Sequence, residues 1–413
     1  MTDVTRLTSL TYGLNASATT IGTAPGTFAT LLPRSSPTSF LPRSRQAIDR
    51  ALYSVDGRRF MRVFGVKDIG ELALPIEFKG VSGNTGAGIT AAGGWELVME
   101  QGNLLASLFG ATAAVTTAGA APTVTSGTGA TLVVSSNVLA NLDIILVTTS
   151  TGVEARQVIS GGGTTTVTVD RNWVGVPTAS SAVIRAGRYS ISTSQTTHTP
   201  VWFNCEGENW RRRYQDCQPS SLVLNVPNAG LVEADFGFLP NDWDDQVEAN
   251  PSFAAPTAGS PVVSGGSAFF IGSTPFMLRN ARLTVNIGMV MRETTTGING
   301  VRGGLATDKT NIMLEGELYV GDNAGTIGEL VDDSGTPTID SILGDGLATG
   351  AAPSSLDIAL QVGTAAGAAM YVRLPAADFR SAGVREGGPF AVLPFQAFAT
   401  APASGSPLSL GVF

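Results

Sequence analysis

Hydrophobic and polar residues alternate along most of this chain in short runs that end at glycine or asparagine, a pattern typical of β-strands separated by turns. Residues 71–80 are the clearest case, because Leu72, Leu74, Ile76 and Phe78 fall on one face of an extended segment. The preceding run, RRFMRVFGV, is also strand-like. The pattern predicts an all-β protein with few helices.

One segment has a helical period instead. In WELVMEQGNLLASLFG, Val98, Leu105 and Leu108 share a helical face, and Gly110 follows as a typical C-cap. We therefore predict a short helix that ends at Gly110.

The remaining segments suggest a division into domains. Residues 1–60 show neither the strand period nor the helical period, and they predict an extended N-terminal arm ordered by its neighbours. The N-terminus lacks the features of a signal peptide, so we expect a cytoplasmic product. Residues 112–192 change to Thr, Val, Ser and Gly and read as an inserted small β decoration domain. The predicted organisation is an arm (1–60), a first domain (61–111 and 193–245), the insertion (112–192), a linker (246–266) and a second domain (267–413).

The two main domains are predicted to be copies of one unit. Five segments of the first half recur in the same order in the second half, with low identity. The matched segments are 73–80 with 313–320, 104–110 with 338–344, 200–207 with 355–362, 216–224 with 372–380, and 233–240 with 393–400. The spacing between partners shortens across residues 112–192, as an insertion confined to the first copy requires.

Charge argues against a protein that grips nucleic acid. Only 14% of the 413 residues are charged and the net charge is -8, so phosphate neutralisation is not expected. So few charges on a chain of this size favour an assembly in which much of the surface is covered.

Candidate chemistry is sparse. His198 is the only histidine and no G-x-S-x-G elbow occurs, so we interpret it as a solvated or capping residue. Residues 297–304, GINGVRGG, lack the Lys-Ser/Thr ending of a phosphate loop. Cys205 and Cys217 cannot complete a usual zinc site with one histidine and are expected to be small buried hydrophobic residues. We predict no catalytic, cofactor-binding or metal-binding residue, no cofactor and no enzymatic activity.

Two charged clusters leave alternatives open. One group of acidic residues could hold a metal ion or act as an acid/base pair. We favour the alternative that these residues are solvated loop positions. The acidic residues are Asp242, Asp244, Asp245, Glu248, Asp332 and Asp333. The triple Arg211, Arg212 and Arg213 between Trp210 and Tyr214 could stack on bases or phosphates. A row of intersubunit salt bridges is the favoured alternative.

The segment YQDCQPSSLVLNVPNAGLVEADFGFLPND resembles a motif of the tail-tube (major tail) proteins of long-tailed, siphovirus-like bacteriophages. It has a strand with a Cys, an alternating strand, a Gly turn and a strand of alternating aromatics. NARLTVNIGMVMRETTTGINGVRGG, TNIMLEGELYVGD and FAVLPFQAFAT resemble the C-terminal half of the same family.

The resemblance implies two tandem tail-tube β-sandwich domains whose sheets join laterally into rings. Stacked rings would form a hollow conduit for double-stranded DNA, in the virion tail, assembled in the host cytoplasm. The implied partners are further copies of the chain, the tape-measure protein, and the tail terminator and tail-tip proteins, with transient passage of DNA and no membrane. The duplication predicts a trimeric, pseudo-hexameric ring, with six whole chains as the alternative. An adhesin-like or surface-layer structural protein is the alternative function.

Overall fold

The computed structural model describes residues 9–15, 23–26, 28–31, 44–53, 59–68, 71–81, 101–113, 121–192, 198–206, 211–246, 259–291, 305–307, 310–320, 356–381, 385–386, 391–402 and 405–413. Most of these residues lie in antiparallel strands, which confirms the all-β prediction. The described part contains one α-helix.

The elements follow one another in chain order. The first are β1 (Ser9–Leu14), β2 (Ala29–Leu31), β3 (Ser44–Tyr53), β4 (Arg59–Asp68), β5 (Leu72–Glu77), α1 (Gly102–Phe109) and β6 (Gly110–Ala113). Next come β7 (Val124–Thr128), β8 (Thr131–Val134), β9 (Ile144–Thr149), β10 (Gly152–Ser160), β11 (Thr166–Val169) and β12 (Ile184–Arg185). The first half ends with β13 (Gly187–Ile191), β14 (Val201–Glu206), β15 (Arg211–Val226), β16 (Glu233–Leu239) and β17 (Asp242–Gln246).

The second half is built in the same way. It contains β18 (Ala268–Ile271), β19 (Thr274–Phe276), β20 (Leu278–Asn286), β21 (Met289–Met291), β22 (Leu305–Thr307), β23 (Asn311–Val320), β24 (Leu356–Val362), β25 (Met370–Ser381), β26 (Arg385–Glu386), β27 (Ala391–Ala399) and β28 (Ser409–Val412). One sheet of eighteen strands holds most of them, while β7–β12 form a separate six-stranded sheet, and β3–β4 and β21–β22 are two-stranded ribbons.

The two halves share one pattern of strand pairing. In the first half, β15 pairs with β14 and β17 through its first part and with β16 through its second part. In the second half, β25 pairs with β24, β28 and β27 in the same way. The neighbouring strands also correspond. The pair β1–β2 lies beside β14 in the first half, and the pair β18–β19 lies beside β24 in the second half. Likewise, β5 pairs with β16 in the first half and β23 pairs with β27 in the second half.

Both long strands are kinked near a proline. The ladder between β15 and β16 is bulged at Pro219, and the ladder between β24 and β25 is bulged beside Pro375. Proline has no N–H to give to a ladder, so a bulge is where a strand tolerates it. Just before Pro219, Asp216 has a φ of +48° and its carboxylate accepts hydrogen bonds from Asn15 and Trp202. In each strand the bulge lies where one set of partner strands gives way to the next.

The halves are joined at two places in the large sheet. The second half supplies β20, which lies between β15 and β23. The C-terminal strand β28 lies between β25 and β13, and β13 pairs in turn with β6. These two joints make one continuous sheet of both halves.

Apolar side chains from both halves form one core under this sheet. The predicted alternation holds, since Leu72, Leu74, Ile76 and Phe78 are all buried. Aromatic contacts reinforce the core, such as Phe203 on Phe238 with ring centroids 5.0 Å apart.

The predicted helix is confirmed at its C-terminal end. Helix α1 stops before Gly110, which has a left-handed φ of +69° and donates its N–H to the Ala106 carbonyl. Residues 82–100 and the matched helix at 338–344 lie outside the described residues.

The described parts of the predicted arm and of the predicted linker make strand contacts with the first half. Strand β1 pairs with β14 along six residues and buries Leu10 and Tyr12 in the core, so it is a sheet strand. In the predicted linker 246–266, residues 259–264 form bridges to Lys79 and Leu231, and Val262 is fully buried. Their Ser/Pro/Gly composition concealed these contacts.

Candidate functional site

One face of the large sheet carries a row of polar residues that crosses both halves. The strands β5, β16, β15, β20, β23, β27 and β25 lie side by side in that order. A single row of directly opposed residues crosses all seven strands, here called the polar row. It consists of Glu77, Glu233, Asn225, Arg282, Glu315, Gln396 and Arg380. The alternation of each strand puts the apolar neighbours of these residues into the core.

The cations of this face are paired with carboxylates. Arg282 lies 3.8 Å from Glu315, whose other oxygen lies 3.4 Å from the Gln396 amide nitrogen. Arg380 is 67% exposed and lies 2.7 Å from Asp378, and its guanidinium is 5.2 Å from the Phe398 ring centroid.

A second ion pair lies beside the row. The Arg279 guanidinium donates to Glu317 at 3.0 Å, and the Asn280 amide donates to the same carboxylate oxygen at 3.2 Å. A recess of about 710 Å³ opens over the middle of the polar row. The polar row contains three glutamates and two arginines, so its net charge is negative. A polyanion such as DNA would therefore find no continuous line of unpaired cations along the row.

The residues singled out in the sequence lie elsewhere. His198 is buried, not solvated, and its Nδ1 lies 3.2 Å from the Ser107 carbonyl oxygen in the last turn of α1. The Ser107 hydroxyl donates to the Thr199 carbonyl at 2.6 Å, so residues 198–199 hold the end of the helix. Of the two interpretations made from the sequence, a solvated or a capping histidine, this contact agrees with the capping one.

The three arginines and the first acidic cluster face each other within the chain. Strand β17 pairs with the start of β15, and the register places Arg212 opposite Asp245 and Arg213 opposite Asp244. The prediction that Asp242, Asp244 and Asp245 lie in a loop is therefore wrong, because they form an acidic strand next to a basic one. Glu248, Asp332, Asp333, Trp210 and residues 297–304 lie outside the described residues.

Two arginines of this strand also contact aromatic rings. The Arg212 guanidinium is 5.7 Å from the Trp243 ring centroid and the Arg213 guanidinium is 5.7 Å from that of Trp202. These arginines and tryptophans contact each other, so the contacting faces of the guanidinium groups and rings are not open to nucleic-acid bases.

Cys205 and Cys217 are buried in the main core, as expected. Burial raises the pKa of the Cys217 thiol well above its ordinary value. Burial also raises the pKa of the nearby Tyr214 hydroxyl to about 12. In the described part of the chain, no group of three or more His, Cys, Asp or Glu side chains could hold a metal ion.

A buried charge cluster that the sequence did not indicate lies between the six-stranded sheet and the second half. The side chain of Asp170, which follows β11, is fully buried and lies 2.9 Å from Arg171 and 3.6 Å from Arg373. Its carboxylate also accepts hydrogen bonds from the Tyr371 hydroxyl at 2.6 Å and from the Gln157 backbone N–H at 2.8 Å.

Asp357 on β24 completes the cluster. It lies 3.0 Å from Arg171 and 2.6 Å from Arg373. Burial alone would raise the pKa of Asp170, but the two guanidiniums and the hydrogen bonds outweigh it and hold that pKa below its ordinary value. Burial would likewise lower the pKa of Arg171, but Tyr371 and the two carboxylates raise it.

Apolar side chains surround this cluster. Ile144, Leu146 and Ala155 of the six-stranded sheet pack on Ala359, Ala369, Tyr371 and Phe413 of the second half. The inserted sheet is therefore docked on β24, β25 and the C-terminal segment. Strand β13 and the last two residues of β6 fall inside the predicted range 112–192, yet both strands belong to the large sheet.

No protein-family model matches the chain, and no curated protein matches it. In the described ranges, none of the helices is long and apolar enough to cross a membrane.

Proposed function

We propose that this protein is a structural, non-catalytic subunit of a bacteriophage tail tube. Copies of the chain assemble into rings, and the rings stack into a conduit through which double-stranded DNA passes without specific binding. The tape-measure protein, the tail terminator and the tail-tip proteins are its further partners. The protein is assembled in the host cytoplasm and resides in the virion tail.

The polar row is the observation that carries this proposal. A wall around DNA needs a sheet that is sealed by a core on one side and presents a hydrated, non-adhesive surface on the other. The seven strands of the polar row have the core on one side, and the row runs without a break from the first half to the second. The segments with the tail-tube resemblance, including β15, β16 and β27, supply strands of this face.

Charge pairing in the row accounts for passage without binding. Binding to DNA gains free energy when cations neutralise phosphates and release counterions. Arg282 and Arg380 already have carboxylate partners, so phosphates would compete with Glu315 and Asp378 for them.

Electron microscopy of the purified, concentrated protein tests the proposal. Hollow tubes are expected, and three-fold rings with six similar lobes would agree with two tandem copies in each chain. Monodisperse monomers under all conditions of concentration and salt would overturn it.

A charge variant tests the conduit wall separately. Glu315→Gln leaves Arg282 without its partner, so tubes of this variant should bind a short DNA duplex at low salt in fluorescence anisotropy, whereas wild-type tubes should not. Glu386→Gln removes an exposed carboxylate of β26 that lies outside the polar row, and it should behave like wild type.

A further inference from the structure

The inserted six-stranded sheet closes on itself into a barrel. Its strands lie in the order β12, β9, β10, β11, β8 and β7. The start of β7 pairs with the segment that leads into β12, because the Val124 N–H donates to the Ser181 carbonyl at 2.9 Å and the Val183 N–H donates to the Pro122 carbonyl at 2.8 Å. The insertion, here called the barrel, therefore encloses its own apolar interior, which includes Val147.

The barrel is attached directly to one of the two joints between the halves. Its last strand, β12, ends at Arg185, and only Ala186 separates it from β13. The Ala186 N–H donates to the Ile144 carbonyl at 2.8 Å, so this connection is bonded to the barrel. Strand β13 then pairs with β28 along only four residues of each strand. This short ladder between the halves is here called the seam.

The barrel also bonds to the second-half strands on the far side of the seam. The Gln157 side chain donates to Ser409 of β28 at 3.3 Å and accepts a hydrogen bond from Arg373 of β25 at 2.7 Å. On β24, the Gln361 side chain accepts a hydrogen bond from the Ala155 N–H at 2.7 Å and donates to a β10 carbonyl at 2.9 Å. The barrel therefore spans the seam from β13 to β28, β25 and β24.

These contacts hold the barrel in one orientation. The buried cluster described above joins Asp170 and Arg171 of the barrel to Asp357 and Arg373 of the second half. The Phe270 ring of β18 also lies 5.3 Å from the Arg171 guanidinium. Hydrogen bonds and ion pairs are directional, and a shift of the barrel would leave buried charges without their partners. The interface therefore resists sliding.

We propose that the inserted barrel is a brace that keeps the two halves of the chain closed at the seam between β13 and β28. If the seam opened, β28 would move away from β13. The barrel is continuous with β13 and bonded to β28, β25 and β24, so this movement would have to break its buried contacts as well. The proposal concerns a single chain and does not depend on the tail-tube function.

Backbone directions show which amides report the state of the seam. The Ser192 N–H donates to a carbonyl at the end of α1, on the side of β6, and the Phe413 N–H donates to a carbonyl next to β25. Backbone groups alternate in direction along an antiparallel strand. The N–H groups of Tyr189 and Leu410 therefore point across the seam, from β13 and from β28.

A double variant tests the brace. Arg171→Met with Arg373→Met leaves Asp170 without either of its ion-pair partners, so the barrel should undock from the second half. The matched control is Arg279→Met with Arg380→Met, which removes two arginines of more exposed ion pairs, 32% and 67% exposed, outside the barrel interface. If the double variant does not fold, Arg171→Met alone carries the same test.

Native-state hydrogen exchange of the full chain gives the readout. The Ala155 N–H reports docking, because the Gln361 side chain accepts its hydrogen bond across the interface. In the test variant, the amides of Ala155, Tyr189 and Leu410 should exchange at least about tenfold faster than in wild type. Leu224 belongs to the other joint, between β15 and β20, and its amide should keep its wild-type rate. All four amides should be unchanged in the control.

Three results would overturn the brace. Faster exchange at Ala155 with unchanged exchange at Tyr189 and Leu410 would mean that the barrel undocks without loosening the seam. Unchanged exchange at all of these amides would mean that the buried cluster does not hold the barrel. Equal acceleration at Leu224 would mean that the substitutions weaken the whole fold rather than the seam.

Discussion

Replacement of Arg171 by methionine should loosen the contact between the inserted sheet and the second half. Arg171 is almost fully buried and bridges Asp170, Asp357 and the Gly272 carbonyl, at 2.9, 3.0 and 3.0 Å. Methionine retains much of the apolar stem of the side chain, so the change removes charge and hydrogen bonds more than volume.

The expected cost follows from the carboxylate left behind. Asp170 has no exposed side-chain surface and would keep only Arg373 as a cation, at 3.6 Å. Removing one partner of a buried pair typically lowers the free energy of unfolding by about 3–5 kcal/mol. With an m-value of about 3 kcal/mol per M, the urea midpoint should fall by about 1 to 1.7 M.

The assay is urea unfolding followed by tryptophan fluorescence, since Trp173 lies in the inserted sheet with its ring centroid 5.1 Å from the Arg156 guanidinium. Arg380→Met is the matched control, because it breaks an ion pair whose arginine is 67% exposed and should cost about 0–1 kcal/mol. Equal midpoints for the two variants would refute the proposed role of the buried cluster.

The pH dependence gives a second readout of the same cluster. The pKa of Asp170 is lowered in the folded protein, so its contribution is complete above the unfolded value of about 3.9 and is lost as the pH falls through the folded value. Wild-type docking should therefore weaken only in acid, below about pH 4. In Arg171→Met the weakening should begin at a higher pH, and an unchanged onset would contradict this assignment.

Three further predictions concern packing. Gly80→Ala should lower the free energy of unfolding by about 3 kcal/mol or more in urea unfolding, because a Cβ at this position would lie 2.2 Å from the Gly367 carbonyl oxygen. The control Gly26→Ala should be neutral, because a Cβ there would have no atom within 4 Å. Both cysteines should be inert to a thiol reagent at pH 8 in the native protein and react in denaturant, since both are buried and the pKa of Cys217 is raised; rapid native labelling would contradict this. Replacing residues 114–187 by Asn-Gly should leave β6 and β13 paired, because Ala113 lies opposite Arg188, but should lower the thermal midpoint by exposing Tyr371 and Ala359.

Local features of the fold were predictable from the sequence. The alternation in β5 and the glycine after α1 are short-range signals, and the structure agrees with both. The order of the matched segments also has a counterpart in the strand pairing of β14–β16 and of β24, β25 and β27. Proline marks the kink in both long strands, which is visible in the aligned segments around Pro219 and Pro375.

Contacts between distant segments were not predictable. The sequence around Asp170 and Arg171 is typical of a turn, and it does not indicate that Asp357 and Arg373 are their partners. The polar row depends on strand register, which composition does not reveal. Strand β1 lacked a sustained alternation because it is six residues long and lies in a Thr- and Ser-rich segment, so its membership of the core required its partner β14.

The position of β28 has a consequence for the order of synthesis. Residues 409–412 join β13 to β25, and these strands leave the ribosome long before them. Until residue 409 emerges, one of the two joints between the halves is open, and the Phe413 carbonyl cannot yet accept its bond from Val81. A nascent chain therefore holds its first half in an incomplete sheet until residues 409–412 can pair with β13 and β25.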